Sequence, residues 1–99
     1  MQPGIERRES ERIDYKSAIL HNTIPPDFYY SGTMQNFSVG GLYFESNEDL
    51  SQGDEISISI KNPPPQFIKK SREYFDVKIM WTRVLQGESY QVGYGAKLI

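Results

Sequence analysis

A strand that runs into a glycine turn is encoded by residues 36–41, Asn36-Phe37-Ser38-Val39-Gly40-Gly41. Asn36 and Ser38 stand two positions apart, so on an extended backbone both side chains point to one face and Phe37 points to the other. The glycine pair permits positive φ and allows another molecule to approach the backbone without meeting a Cβ atom. The stretch therefore predicts a polar surface backed by a buried ring.

Apolar residues at two-residue spacing predict further strands on both sides of this stretch. We expect a first strand over 13–21, a second near 29–38 with Gly32 as a candidate bulge, and a short third over 42–46. The clearest alternation in the chain comes later, in Ile56-Ser57-Ile58-Ser59-Ile60. Its isoleucines should point into a core.

Two more alternating runs predict a long terminal hairpin that turns at Gln86-Gly87-Glu88. The runs comprise Phe75, Val77, Ile79 and Trp81, then Tyr90, Val92, Tyr94, Ala96 and Leu98. With about six strands, regularly spaced turns and no convincing helical pattern, the sequence predicts an all-β fold. We expect a six-stranded antiparallel barrel, closed or split, over residues 13–99, because an open sheet would leave its edges unprotected.

Composition limits the classes of function that the chain can have. Its 99 residues are 37% hydrophobic and 24% charged, which fits one small aromatic-rich domain. The net charge of −2 gives no global attraction for nucleic acid or anionic membranes, so an anion site must be built locally. No cysteine is present, which excludes disulfides and thiolate metal sites. Without a spanning apolar run or a signal peptide, we expect a soluble cytoplasmic protein.

The sequence offers little support for catalysis. Ser38 lacks a Gly-x-Ser-x-Gly motif, and the chain's one histidine, His21, is distant from it. A phosphate-binding loop, a helix-borne histidine pair and a calcium loop are also missing from the sequence. We therefore expect a binding protein rather than an enzyme, with no cofactor and no metal.

An arginine cluster precedes the first strand, in residues 1–12. Arg7, Arg8 and Arg12 are interspersed with three glutamates, so the segment is locally neutral and we expect it to be flexible. A plain solvated tail is one interpretation, and a ligand-wrapping tail is the one that the arginines favour. A guanidinium forks onto a phosphate, pairs with the O6/N7 edge of guanine and stacks on a purine face. In an extended tail Arg8 and Arg12 lie roughly 13 Å apart, which lets the tail wrap a compact dinucleotide.

The two motifs Arg8-x-x-x-Arg12 and Asn36-x-Ser38-x-x-Gly41 occur in an order and at a separation that are informative together. In these motifs the chain resembles the PilZ family of cyclic di-GMP receptors, and the resemblance covers roughly residues 7–99. Trp81 in a late strand and Val92-Gly93 in the closing strand also fit. The resemblance implies a six-stranded barrel and, as its ligand, the bacterial second messenger cyclic di-GMP.

The resemblance also implies roles for particular residues. Arg8 and Arg12 would contact phosphates and guanine, with Arg7 assisting and favouring an intercalated pair of ligand molecules. The remaining expected ligand-binding residues are Asn36 and Ser38 as hydrogen-bonding groups, Gly40 and Gly41 as points of close approach, and Trp81 as an apolar wall. The alternation of Trp81 with core positions is equally consistent with a place in the core.

The implied function is that of a sensor or adaptor whose tail orders over the ligand and presents a new surface to an unidentified downstream protein. One alternative is a degenerate barrel that acts only as a protein-interaction module, although the intact motifs argue against it. A third hypothesis is an oligonucleotide-binding barrel, because aromatic residues on strands stack bases. The acidic balance counts against that hypothesis, so we expect no nucleic acid polymer and no membrane insertion.

Overall fold

Six antiparallel strands close into a barrel in the computed structural model, which describes residues 12–23, 29–65, 74–87 and 89–99. The strands are β1 (Ile13–Thr23), β2 (Tyr30–Ser38), β3 (Gly41–Ser46), β4 (Glu55–Ile60), β5 (Phe75–Val84) and β6 (Val92–Leu98). They follow the order β1-β2-β3-β6-β5-β4, and β1 pairs with β4 to complete the ring. The predicted all-β class and six-stranded antiparallel barrel are confirmed. The predicted site residues Arg7 and Arg8 lie outside the described residues.

The core follows the alternation of the sequence. Ile56, Ile58 and Ile60 are buried along β4, as predicted, and the serines between them are only half-buried. Burying an isoleucine side chain contributes about 1.5–3 kcal/mol, so all three residues favour folding of this strand onto the core. The other buried apolar side chains of the core are Ile19, Met34, Phe37, Leu42, Phe44, Leu50, Phe75, Val77, Ile79, Tyr94 and Ala96.

A tight turn over residues 51–54 leads into β4. The backbone N–H of Asp54 donates to the Ser51 carbonyl at 3.0 Å, and the Ser51 N–H donates to the Asp54 carboxylate at 2.9 Å. Gly53 has φ of 95°, a left-handed conformation in which a Cβ atom would be strained. Glycine is therefore the residue that this turn requires.

Register shifts interrupt three of the described strands. They lie between Asp14 and Ser17 in β1, between Met34 and Asn36 in β2, and between Ile79 and Trp81 in β5. A bulge of this kind adds one residue to one strand and changes the face to which the following side chains point. The second and third shifts lie beside residues that the sequence assigns to the ligand site.

The bulge expected at Gly32 was wrong. Gly32 pairs in register with Ile19 on one side and Ser46 on the other. A Cβ atom at this position would lie only 2.8 Å from the carbonyl oxygen of Glu45. Glycine is needed here because two strands approach closely, and the bulge of β2 lies further along the strand.

Candidate functional site

A cleft of about 160 Å³ lies where β1 begins and β2 ends. It is lined by the following residues, drawn from four of the strands, from the turn after β2 and from the residue before β1: Arg12, Asn36, Ser38, Gly40, Gly41, Leu42, Met80, Trp81, Gly95, Ala96 and Lys97. The residues that line the cleft thus carry a guanidinium, an amide, a hydroxyl, an ammonium and an indole. This set suits an anionic ligand that carries flat rings.

Six of the eight residues that the sequence assigns to ligand binding line this cleft. They are Arg12, Asn36, Ser38, Gly40, Gly41 and Trp81. The other two, Arg7 and Arg8, precede Arg12 in the chain and lie outside the described residues. The cleft therefore unites the second sequence motif with the last arginine of the first.

A direct hydrogen bond connects the two motifs. The Arg12 guanidinium donates to the side-chain oxygen of Asn36 at 3.2 Å, across 24 positions of sequence. Both side chains are accessible to solvent, because Arg12 is exposed and Asn36 is half-buried. A guanidinium has five N–H donors, so Arg12 keeps donors for a ligand while Asn36 fixes its position.

The β2 bulge decides which way the polar motif faces. Met34 pairs with Phe44 and Asn36 pairs with Tyr43, so β2 has one residue more than β3 over this step. Met34 is fully buried, and the next buried residue of β2 is Phe37. Strict alternation from Met34 would have placed Asn36 inside the barrel and Phe37 outside. The bulge reverses this, so the prediction of a polar surface backed by a buried ring is confirmed.

The two glycines of the turn after β2 differ in their surroundings, and only Gly41 is closely packed. Neither Gly40 nor Gly41 adopts the positive φ that a glycine permits. A Cβ atom on Gly41 would overlap the carbonyl oxygen of Ala96, whereas a Cβ atom on Gly40 would meet nothing within 4 Å. The Gly40 carbonyl accepts a hydrogen bond of 2.8 Å from the N–H of Leu98, which holds the turn against β6. Of the two glycines, only Gly40 has room for a side chain.

Trp81 lies on the outer face of the barrel and not in its core. Phe75, Val77 and Ile79 are buried in alternation, but the β5 bulge comes between Ile79 and Trp81. The indole is 37% exposed and lines the cleft. The alternative that places Trp81 in the core was wrong, because periodicity holds only up to the bulge.

Tyr43 and Gly95 hold the indole in place. The Tyr43 and Trp81 rings are stacked with centroids 5.6 Å apart and planes 19° from parallel. The indole lies against the backbone of Gly95, where any Cβ atom would overlap it. An aromatic pair of this geometry contributes about 0.5–1.5 kcal/mol beyond its buried area. The indole is therefore a fixed wall of the cleft.

Polar contacts fix Tyr43 from the other side. The Arg83 guanidinium donates to the Tyr43 hydroxyl at 2.9 Å and lies 5.3 Å from the centre of its ring. The hydroxyl in turn donates to the Glu45 carboxylate at 3.1 Å. Burial raises the pKa of the Tyr43 phenol, and the hydrogen bond from Arg83 opposes that shift. The phenol stays neutral and donates to Glu45.

Sequence inspection missed Met80 and Lys97 in the cleft and Tyr43 and Arg83 beside it. A signal for this arrangement exists in β6, where Gly93 and Gly95 occur two positions apart and share the outer face. Side chains that would stand there would overlap Tyr43 and Trp81, respectively. Alternating glycines in a strand indicate large side chains lying across it from its neighbours.

Comparison with known proteins agrees with this geometry. A profile of the PilZ domain matches residues 6–98. The chain belongs to the PilZ domain family. Among solved structures it is similar to the PilZ domain with c-di-GMP of YcgR from Escherichia coli, with a TM-score of 0.65 and 12% sequence identity. The match covers 95% of this chain and 79% of that one. No curated protein gives a significant match.

The part of the chain that the structure describes contains no helix with the length and apolar character needed to cross a membrane. Nor does it contain a group of three or more histidine, cysteine, aspartate or glutamate side chains placed to hold a metal ion. The cleft is therefore the feature on which a functional proposal is built.

Proposed function

We propose that this PilZ domain binds cyclic di-GMP in the cleft and that residues 1–12 close over the bound ligand. The observation that carries the proposal is the Arg12–Asn36 hydrogen bond, which brings the two sequence motifs to one cleft. The similarity to a PilZ domain with c-di-GMP, that of YcgR, supports the choice of ligand. A receptor role follows, in which the domain reports the concentration of the dinucleotide.

Each residue of the cleft has a role suited to its chemistry. Arg12 provides charge-assisted hydrogen bonds to a phosphate or a guanine edge. Asn36 and Ser38 hydrogen-bond the guanine or the sugar-phosphate backbone from the barrel surface. Trp81 offers its exposed face to a base, an interaction worth about 1–3 kcal/mol. Gly40 lets the ligand approach the turn without meeting a side chain.

The cleft alone is too small to enclose a dinucleotide. Its volume of about 160 Å³ falls below the roughly 300–1,000 Å³ of pockets that bury most of a drug-sized ligand. Much of the ligand would therefore extend beyond the surfaces described. We assign the missing wall to Arg7 and Arg8, whose guanidinium groups would clamp the outer face, with Arg7 favouring an intercalated pair of ligands.

Signalling would follow from the ordering of the tail. Ligand contacts made only when residues 1–12 are closed shift the population toward the closed arrangement, by no more than the difference in affinity. The closed tail and the ligand together form a surface that the free protein lacks. A downstream protein that recognises this surface would then respond to cyclic di-GMP.

Binding explains the arrangement better than catalysis does. His21 is 1% exposed and faces the barrel interior, where its Nε2 lies 2.9 Å from the Ser46 hydroxyl. Ser38 is at the other end of β2 from Tyr30, the register partner of His21. The one histidine of the chain is therefore not placed to activate the one hydroxyl side chain of the cleft.

Titration calorimetry with cyclic di-GMP tests the proposal. We expect the parent chain to bind, and Arg12→Ala and Ser38→Ala to lose most of the affinity while remaining folded by circular dichroism. Ser59→Ala is the matched control for Ser38→Ala, because Ser59 is a half-buried serine of β4 that does not line the cleft. The stoichiometry distinguishes one ligand from an intercalated pair. A folded parent that releases no heat and shows no spectral change would overturn the proposal and leave the protein-interaction module as the better reading.

A further inference from the structure

A row of register partners crosses the outer face of the barrel beside the cleft. Ser38 pairs with Gly41, Gly41 with Lys97, Lys97 with Lys78, and Lys78 with Glu55. The row runs through β2, β3, β6, β5 and β4. Neighbouring strands are about 4.8 Å apart, so Lys97 lies roughly 10 Å from Ser38 across the sheet.

The position of Lys97 in this row is electrostatically unfavourable for the free protein. Its register partners are Gly41, which has no side chain, and Lys78, which carries the same charge. Both lysines are exposed on the same face. Like charges directly opposite each other on antiparallel strands destabilise the pair. Glu55 offsets the charge of Lys78 from β4, but one strand, β5, lies between Glu55 and Lys97.

Gly41 also leaves one flank of Lys97 free of side chains. A Cβ atom at Gly41 would overlap the carbonyl oxygen of Ala96, so a larger residue cannot stand there without moving backbone. Lys97 is exposed and lines the cleft beside Gly41. Its ammonium group is therefore available to a ligand that lies over the glycine turn.

We propose that Lys97, reinforced by Lys78, forms a second phosphate subsite of the cleft. The inference rests on the proposed function and specifies how the site takes the second charge of its ligand. Cyclic di-GMP carries two phosphodiester groups. Arg12 is held on the β2 side of the cleft by Asn36, and Lys97 reaches it from β6. Two cations on separate sides match two separated phosphates, and a bound phosphate relieves the repulsion between the two lysines.

The ligand affinity and the thermal stability of Lys97→Gln together test this subsite. The change should weaken cyclic di-GMP binding roughly tenfold, as expected for loss of one charge-assisted contact. It should also reduce the dependence of affinity on salt. In the absence of ligand the same variant should melt at the parent temperature or higher, because a like-charge pair has been removed. A lysine with a merely structural role would not combine lower affinity with unchanged or greater stability.

Matched variants separate this subsite from general electrostatics. Lys78→Gln should weaken binding by a smaller factor, and Lys97→Arg should retain it. Lys61→Gln and Lys16→Gln remove the same charge from exposed positions outside the cleft and should bind as the parent does. If Arg12→Ala loses binding while Lys97→Gln binds as tightly as the parent, the subsite is overturned and the proposed function stands. If the parent itself does not bind, both are overturned.

Discussion

The indole of Trp81 lies against the backbone of Gly95, with no room for a Cβ atom between them. The two residues are on β5 and β6, and the β5 bulge brings them opposite each other. Tyr43 stacks against the indole from β3. The orientation of the one tryptophan in the chain therefore depends on a glycine that does not itself need an unusual backbone conformation.

Replacing Gly95 should displace Trp81 and disable the cleft. We expect Gly95→Ala to force the indole away from the sheet, to destabilise the barrel by about 1–3 kcal/mol and to weaken cyclic di-GMP binding at least tenfold. Because Trp81 is the only tryptophan, its emission spectrum reports the displacement directly. An emission maximum and a ligand affinity both equal to the parent's would contradict this account of the wall.

Trp81 itself should contribute to affinity without supporting the core. Trp81→Ala should lower affinity by about 1–3 kcal/mol if a base stacks on the indole. Trp81→Phe should recover part of that loss, because a phenyl ring still offers a flat face. In the parent, titration of cyclic di-GMP should change tryptophan fluorescence with the same midpoint as the calorimetric signal. Equal affinities for all three proteins would exclude the indole from the site.

The two glycines of the turn should respond to alanine in opposite ways. Gly40→Ala places a methyl group in open space at a backbone conformation that alanine accepts, and should leave stability unchanged or raise it by about 0.4–1 kcal/mol. Gly41→Ala places the methyl group on the Ala96 carbonyl oxygen and should destabilise the barrel. Chemical denaturation measures both effects.

The affinity of Gly40→Ala for cyclic di-GMP then shows whether the ligand approaches the backbone closely at this turn. If cyclic di-GMP lies over the turn, Gly40→Ala should bind it more weakly than the parent despite equal or greater stability. A Gly40→Ala protein with parent affinity would show that the ligand does not approach the backbone there.

Local patterns in the sequence were sufficient for the fold but not for the complete site. In β4 and the first half of β5, buried apolar residues alternate with more exposed polar ones without interruption. The core residues of these strands can therefore be identified directly from the sequence. Alternation fails at bulges, which is why the outward position of Trp81 could not be settled from sequence. The contribution that we propose for Lys97 depends on its register with Gly41 and Lys78. Both of these residues are far from Lys97 in the sequence. Such registers are fixed by the closure of the whole barrel.

His21 should make the barrel sensitive to mild acid. The imidazole is packed against the rings of Tyr30 and Phe44, and its Nδ1 has no hydrogen-bond partner among the residues described. Burial lowers the pKa of His21 from 6.5 to about 4. Between these two values the unfolded chain binds a proton that the folded barrel excludes, so the free energy of unfolding falls as pH falls from 6.5 to 4. Well above pH 6.5 the imidazole is neutral in both states and contributes no slope.

The expected loss is on the order of 3 kcal/mol across that interval. Urea denaturation of the parent and of His21→Gln at a series of pH values isolates it, because both proteins share every other titrating group. Glutamine keeps a hydrogen-bonding group near Ser46 but does not titrate in this range. The difference in unfolding free energy between the two proteins should be constant well above pH 6.5 and should shift in favour of His21→Gln as the pH approaches 4. Parallel profiles over the whole range would contradict the exclusion of a proton from the barrel interior.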